Sequence, residues 1–157
     1  MYHFDWSEIR PMIKDTILSI EKHNEIDSEF TGYIGKTSQS WHTQNWLISQ
    51  ATTSELEKLI TYDNSAVRGI VFEALINRKH PNLYNYIIQS VDYKKPVYVQ
   101  FGCLIDSFGL TEYYLFKTSD KVVRSNYKNQ VKEGLFTENQ IIVLDSISKT
   151  KTRFFEQ

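Results

Sequence analysis

A turn followed by an apolar helix is the clearest pattern in this sequence, and it occupies residues 63–75. Asp63, Asn64 and Ser65 open the pattern. Residues of these types start turns and cap helices because their short side chains accept hydrogen bonds from nearby backbone amides. Beyond the turn, apolar residues recur at intervals of three and four positions, which is the spacing of one helix face. The segment therefore predicts a helix with one face packed into a core.

The same outline returns about 30 residues later in the chain. The aligned pairs are Leu56 with Leu83, Ile60 with Ile87, Val67 with Val97, Val71 with Phe101, Ala74 with Leu104, and Leu75 with Ile105. A weaker third copy follows at residues 115–124. Because a single helix pair cannot bury its apolar face alone, repetition of this unit predicts a stack of helix pairs with a continuous core.

The first unit resembles a HEAT repeat. The positions that carry the resemblance are Asp63, Val67, Arg68, Ala74 and Leu75. In that family the acidic turn residue and the arginine interact, and successive helices pack through the small and apolar positions. The run 51–116 also resembles small, uncharacterised bacterial HEAT-like proteins. The resemblance is weaker in the second unit, where Tyr98 stands at the arginine position. It implies an all-α fold, a right-handed α-α superhelix of stacked HEAT-like helix pairs.

The length of 157 residues suits a single domain with its own core, over residues 1–157. We predict an N-terminal capping helix over 1–23, a long polar loop over 24–41, the repeats over 42–134 and a C-terminal cap over 135–157. The first helix begins either at Trp6 or near Arg10, because Pro11 is best tolerated in a first turn.

Capping patterns place further helices. Thr52 with Glu55, or Ser54 with Glu57, forms a capping box, since a hydroxyl and a carboxylate three residues apart can bond each other's backbone amides. The apolar residues over 97–108 recur at helical spacing and predict one helix in that segment.

Two later segments are also read as helices. We expect a helix from Lys121 to about Glu133. Residues 141–144 are apolar and mostly β-branched, which alone favours a strand. Thr137 and Gln140 form a cap before them, and no partner strand is evident elsewhere, so we interpret this segment as helix as well.

Charge and composition exclude several classes of protein. The net charge is −1 and no run of Lys or Arg exceeds two, which argues against strong non-specific nucleic-acid binding, since that needs a basic face, and leaves a local basic patch open. A single cysteine, Cys103, cannot form an intrachain disulfide. The N-terminus lacks a basic region followed by an apolar run, and no apolar segment is long enough to span a membrane. We therefore expect a cytoplasmic protein with no membrane segment, and a periplasmic location stays open as the alternative.

No motif for catalysis or cofactor binding stands out. Gly35-Lys36-Thr37 resembles the end of a phosphate-binding loop, but Phe30 stands where that motif needs a glycine. No histidine lies three or four residues from another, so no helix presents two imidazoles to a metal. The histidines are His3, His23, His42 and His80. Cys103 has no histidine near it in the sequence to act as a base. We therefore assign no catalytic residue, no metal ligand and no cofactor.

The predicted binding groove lies on the second helix of each pair, away from the core stripe. Its residues are Glu73, Asn77 and Gln100, and Cys103 and Ser107 are the repeat equivalents of the first two. A mostly neutral, polar groove suits a protein or peptide better than phosphate. We therefore expect a non-catalytic scaffold or adaptor module that binds a protein or peptide partner.

Two alternatives stay open. One is an enzyme on a HEAT-like fold, for example one that processes nucleic-acid bases, which would require a basic concave face and a catalytic acid near aromatic side chains. The other is a subunit whose aromatic patches are buried in a homo-oligomer, and light scattering would distinguish it from a monomeric adaptor. The oligomeric state therefore stays open.

Overall fold

The structure, a computed structural model, describes residues 2–31, 36–120 and 127–151. The described elements are α1 (Pro11–His23), β1 (Ile26–Thr31), α2 (Gln39–Gln50), α3 (Thr53–Leu59), α4 (Ser65–Asn77), α5 (Leu83–Ser90), β2 (Val97–Gly102), β3 (Leu104–Phe108), α6 (Leu110–Lys117), a 3-10 turn (Tyr127–Asn129) and α7 (Glu138–Lys151). The architecture is mixed α/β, with a three-stranded sheet packed among helices. The prediction of an all-α superhelix, or α solenoid, of HEAT-like helix pairs is therefore wrong.

The sheet has the strand order β1-β2-β3. β2 and β3 form an antiparallel hairpin, and Gly102, with a φ of 56°, supplies the left-handed conformation at its turn. β1 runs parallel to β2, with Ile26 opposite Val99. Helices α2 to α5 lie between these two strands in the chain, because a parallel pair needs a long crossover connection.

The helix predicted over residues 97–108 is a β-hairpin, so the second repeat unit is not a helix pair. Val97 and Val99 are buried while Tyr98 between them is exposed, which is the two-residue alternation of a strand. Leu104, at a position expected to lie in the core, is 74% exposed. The apolar residues of this segment fit a strand period as well as a helix period, and the pairing with β1 favours the strand.

The predicted third unit also differs. The first part of the helix expected over 121–133 falls on residues 121–126, which lie outside the described residues. The remainder is not a continuous helix, because it forms a 3-10 turn at Tyr127–Asn129, and Val131 makes an isolated bridge with Ser119.

The long loop predicted over residues 24–41 contains regular structure at both ends. β1 forms there because the buried Ile26 pairs in parallel with β2. α2 begins after Ser38, whose side chain accepts a hydrogen bond from the backbone N–H of Trp41. Residues 32–35, which include the glycine of the Gly-Lys-Thr motif, lie outside the described part of the chain.

Most of the other predicted helices are confirmed. α1 begins at the later of the two predicted positions. Thr52 and Glu55 form the predicted capping box of α3. Thr137 and Gln140 exchange hydrogen bonds between side chain and backbone, and residues 141–144 lie within α7. Among the described helices, none has the length and apolarity that crossing a bilayer requires.

The first repeat unit exists as the helix pair α3 and α4, but its polar contacts differ from the HEAT pattern. Asp63 accepts a hydrogen bond from Lys95 Nζ at 2.7 Å rather than from Arg68. Arg68 instead donates to the backbone carbonyls of Thr61 and Tyr62, at 2.9 and 2.6 Å. The apolar positions of the unit are buried: Val67, Ala74 and Leu75.

α4 lies at the centre of the core. Its residues are buried on most sides, which is the pattern of a helix enclosed by other elements. A Cβ atom placed on Gly69 would lie 2.5 Å from Ile26 Cδ1 and 3.0 Å from Tyr113 Cε1. β1 and α6 therefore pack directly against the glycine face of α4. Glu73 lies one turn further along that face, because residues i and i+4 of a helix are neighbours.

Candidate functional site

A pocket of about 210 Å³ opens between the sheet and the helices. β1, β2, α2, α4 and α6 all contribute to its walls. We call it the Glu73 pocket, after the α4 residue that lines it. The residues that determine its chemistry are Trp41, Glu73, Phe101, Tyr113 and Lys117.

Glu73 reaches the pocket because it shares the α4 face that packs against β1 and α6. Its carboxylate oxygen Oε1 accepts a hydrogen bond from Lys117 Nζ at 3.4 Å. Lys117 is the last residue of α6, and its side chain is 28% exposed. A long, partly solvated ion pair of this kind contributes little to stability. The Lys117 ammonium can therefore leave Glu73 at small cost.

Tyr113 supplies a buried polar group to the pocket. Its side chain is fully buried, and its hydroxyl lies beside the Glu73 carboxylate without forming a hydrogen bond of normal geometry to any described residue. Burial raises the pKa of Tyr113 well above its usual value, and the neighbouring Glu73 carboxylate raises it further. The hydroxyl therefore stays protonated and neutral, and it can both donate and accept a hydrogen bond.

Aromatic rings lie around the end of the Lys117 side chain. Its Nζ is 5.6 Å from the ring centroid of Tyr113 and 5.8 Å from that of Phe116. Aromatic faces attract cations at such distances. Phe101 meets Phe116 edge to face, with their centroids 6.5 Å apart, and Trp41 adds a ring from α2. The pocket thus combines a carboxylate with several aromatic faces.

The charged side chains that line the pocket are mostly acidic. Asp27, Glu29 and Glu73 are carboxylates, whereas Lys117 is the one cation among the described lining residues. The Asp27 carboxylate is already engaged by other side chains. Glu29 and Glu73 still outnumber the single lysine, so the local charge favours a positively charged ligand.

An apolar surface adjoins the pocket on the β2–β3 hairpin. Phe101 lines the pocket and is 40% exposed, and Leu104, its partner in the antiparallel register, is largely exposed. Partners in such a register carry their side chains on the same face of the sheet. Phe101 and Leu104 therefore extend one wall of the pocket outwards, and we call these two residues the apolar strip.

A second cluster has the side-chain types of a metal site. Among the described residues, the ligand atoms of His23, Glu25 and Asp27 lie within 4.8 Å of one another. His23 Nε2 is 2.9 Å from Asp27 Oδ1 and 3.9 Å from Glu25 Oε2. Ser38 Oγ donates to the other oxygen of Asp27. These residue types suit a divalent cation, but His23 and Ser38 already hydrogen-bond the two oxygens of Asp27 and so link α1, β1 and the start of α2.

The residues of the predicted groove lie in different places. Glu73 lines the pocket, and Asn77 is exposed one turn further along α4. Gln100 lies on β2 opposite Ile105, and its Nε2 donates to the carbonyl of Gly102 within the hairpin. Because side chains alternate along a strand, Gln100 faces the opposite side of the sheet from Phe101. Of the three groove residues, the structure therefore brings Glu73 alone to the pocket.

The repeat equivalents of the groove residues lie on the hairpin rather than on a helix. Cys103 is exposed at its turn, and Ser107 is half-buried on β3. Both positions follow from the hairpin that replaces the predicted second helix.

Sequence reasoning missed most of the pocket. Tyr113 and Lys117 are four residues apart on α6, so a helical wheel places them on one face. Nothing in the sequence indicates that this face meets Glu73, because the two helices are joined through the hairpin. Trp41 and Phe101 come from elements that were predicted as loop and helix, so their meeting could not be expected.

Comparison of the chain with protein-family models, with curated protein sequences and with solved structures finds no match.

Proposed function

We propose that the protein is a non-catalytic module that binds a segment of a protein partner, and that the Glu73 pocket receives one side chain of that segment. The observation that carries the proposal is the continuity between a small pocket and the exposed apolar strip of Phe101 and Leu104. A peptide can insert one anchor side chain into such a pocket and cover the strip with its neighbouring residues.

The size of the pocket supports a side chain as its occupant. Pockets for drug-sized ligands and cofactors have volumes of roughly 300–1,000 Å³, whereas the Glu73 pocket measures about 210 Å³. One long side chain fits this space better than a nucleotide or another large cofactor.

The chemistry of the pocket supports binding over catalysis. A general acid or base works best with a pKa near the operating pH, whereas burial keeps the pKa of Tyr113 far above that range. Tyr113 is therefore suited to hydrogen bonding in a fixed protonation state.

The test is to select binders from a phage-displayed library of random peptides and to measure their affinities for two matched variants. Leu104→Asn removes the most exposed part of the apolar strip. Ile142→Asn removes an apolar side chain that is 56% exposed on α7, and it serves as the control. Because burying a leucine side chain contributes about 1.5–3 kcal/mol, we expect Leu104→Asn to weaken selected peptides about tenfold or more. We expect Ile142→Asn to leave their affinities unchanged.

Two results would contradict the proposal. One is a library that yields no specific binder. The other is a dimer in light scattering that Leu104→Asn converts to a monomer, because the strip would then be an interface between two copies of this chain.

A further inference from the structure

We infer that the side chain received by the Glu73 pocket is an arginine, whose guanidinium takes the place now held by the Lys117 ammonium. This inference rests on the proposed peptide-binding function, and it names the chemistry of the anchor residue. Three independent features of the pocket lead to it: its charge, a buried hydroxyl and its aromatic faces.

The charge of the pocket selects a cation. Glu73 presents a carboxylate to the pocket, Glu29 adds a second, and Lys117 is the single compensating cation among the described lining residues. An anionic side chain would meet both carboxylates, whereas a cationic one would compensate the surplus negative charge.

The buried hydroxyl of Tyr113 points to a ligand with several donors. The Tyr113 side chain is fully buried, and its hydroxyl lies beside the Glu73 carboxylate but forms no hydrogen bond of normal geometry with the described residues. A buried polar group that lacks a good hydrogen bond raises the free energy of the folded state. Arginine carries five N–H donors in a planar fork. One guanidinium can therefore donate to the Glu73 carboxylate and to the Tyr113 hydroxyl oxygen together.

The position of Lys117 indicates that the pocket stabilises a cation. Its ammonium lies over the rings of Tyr113 and Phe116 and contacts the Glu73 carboxylate. Lysine has a long flexible stem and a strongly hydrated ammonium, so it can turn towards the solvent when another cation enters. A guanidinium is planar, less strongly hydrated and better suited to stacking and to paired bonds with a carboxylate. The arginine of a partner should therefore interact more favourably with this pocket than Lys117 does.

The experiment uses two amino acids whose termini are blocked and therefore uncharged. They differ only in the charge of the side chain. N-acetyl-L-arginine amide carries the guanidinium, and N-acetyl-L-citrulline amide replaces it with a neutral urea of nearly the same shape. Each is titrated into the isotope-labelled protein and followed through backbone amide chemical shifts. We expect the arginine probe to bind about tenfold more tightly than the citrulline probe. Its shifts should be centred on the pocket-lining parts of β1, α2, α4 and α6.

Two substitutions should change the affinity for the arginine probe in opposite directions. Glu73→Gln keeps the shape of the side chain but removes its charge, and we expect it to weaken binding about tenfold. Lys117→Gln removes the competing cation, and we expect tighter binding. Glu133→Gln changes an exposed carboxylate that does not line the pocket, and it should have no effect. Damage to the fold cannot produce a gain for one pocket variant and a loss for the other.

The outcomes separate this inference from the proposed function. Peptides that bind at the apolar strip without a required arginine would overturn the inference and leave peptide binding standing. Equal binding of the two probes, no binding of the arginine probe, or unchanged binding to Glu73→Gln would also overturn it. Binding of N-acetyl-L-glutamate amide that Lys117→Gln abolishes would identify an anion pocket instead. Failure of the library to yield any binder would contradict the proposed function itself.

Discussion

The Glu55 carboxylate accepts hydrogen bonds from two parts of the chain at the junction of α1 and α3. Arg10 donates to it from its backbone N–H and its guanidinium, and the backbone N–H of Thr52 donates at 2.8 Å. The hydrogen bonds from Arg10 are the main reason that the pKa of Glu55 is lowered, to about 2. The charged form of Glu55 therefore stabilises the folded state.

This lowered pKa predicts how stability changes with pH. A carboxyl group whose pKa is lower in the folded state contributes stability above its unfolded value, here 4.5, and loses that contribution as the pH falls towards 2. Glu55→Gln should therefore lower the free energy of unfolding by about 1–3 kcal/mol at pH 7 and by much less near pH 2. Urea titrations of both proteins across this range measure the difference. A difference that does not change with pH would contradict the assigned charge.

Glu73 and Arg68 show how many of the polar contacts could be predicted from the sequence. Glu73 was predicted as a binding residue because it lies away from the stripe of α4 that includes Leu75. Arg68 was expected to be a structural residue, and its side chain holds backbone carbonyls, but its expected partner Asp63 instead bonds Lys95. Residue types and local spacing indicate which side chains carry polar contacts. The partners depend on elements far away in the chain.

Among the elements, capped helices could be predicted and strands could not. Thr52 with Glu55 and Thr137 with Gln140 identify their helices because a capping box is a local interaction. The strands are stabilised by pairing between distant segments, and β1 contributes largely polar residues to that pairing. The apolar residues in 97–108 fit the period of a strand as well as that of a helix. Resemblance to the preceding unit favoured the helix, whereas the segment forms β2 and β3.

The contact between β1 and α4 gives a prediction at the scale of elements. A methyl group on Gly69 would lie 2.5 Å from Ile26 Cδ1, closer than packed atoms can approach. Ile26 Cδ1 is the end of a side chain, but Ile26 and Tyr113 are both buried, so little room is left for it to turn away. We therefore expect the overpacking cost of about 1–3 kcal/mol to outweigh the gain in helix propensity of about 1 kcal/mol. Gly69→Ala should therefore destabilise the protein, whereas in an Ile26→Val background, which lacks Cδ1, its effect should be smaller by about 1 kcal/mol.

A double-mutant cycle from urea unfolding measures this coupling. Ile13→Val is the matched control, because Ile13 is an equally buried isoleucine on α1 that is not among the nearest neighbours of the Gly69 site. Gly69→Ala should have its full effect in that background. Equal effects in the two valine backgrounds would mean that β1 does not pack against the glycine face of α4.

At the scale of the whole molecule, the Glu73 pocket joins elements that precede α4 in the chain to elements that follow it. β1 and α2 come before α4 in the chain, whereas β2 and α6 follow it, and all five elements line the pocket. Each element also contributes to the one hydrophobic core. A ligand held by these elements should bind the folded chain and not the unfolded one. Binding of this ligand should therefore raise the free energy of unfolding of the entire protein.

The final prediction follows from this linkage. At a concentration ten times its dissociation constant, N-acetyl-L-arginine amide should raise the free energy of unfolding by about 1.4 kcal/mol. For a domain of this size, that corresponds to a rise in Tm of about 3–6 °C. N-acetyl-L-citrulline amide at the same concentration controls for general effects of the solute. Because Glu73→Gln should bind the arginine probe about tenfold more weakly, it should reduce the gain in stability to about 0.4 kcal/mol without changing the response to citrulline. A Tm that rises equally with both probes, or equally in both proteins, would mean that the added stability does not come from a cation held in the Glu73 pocket.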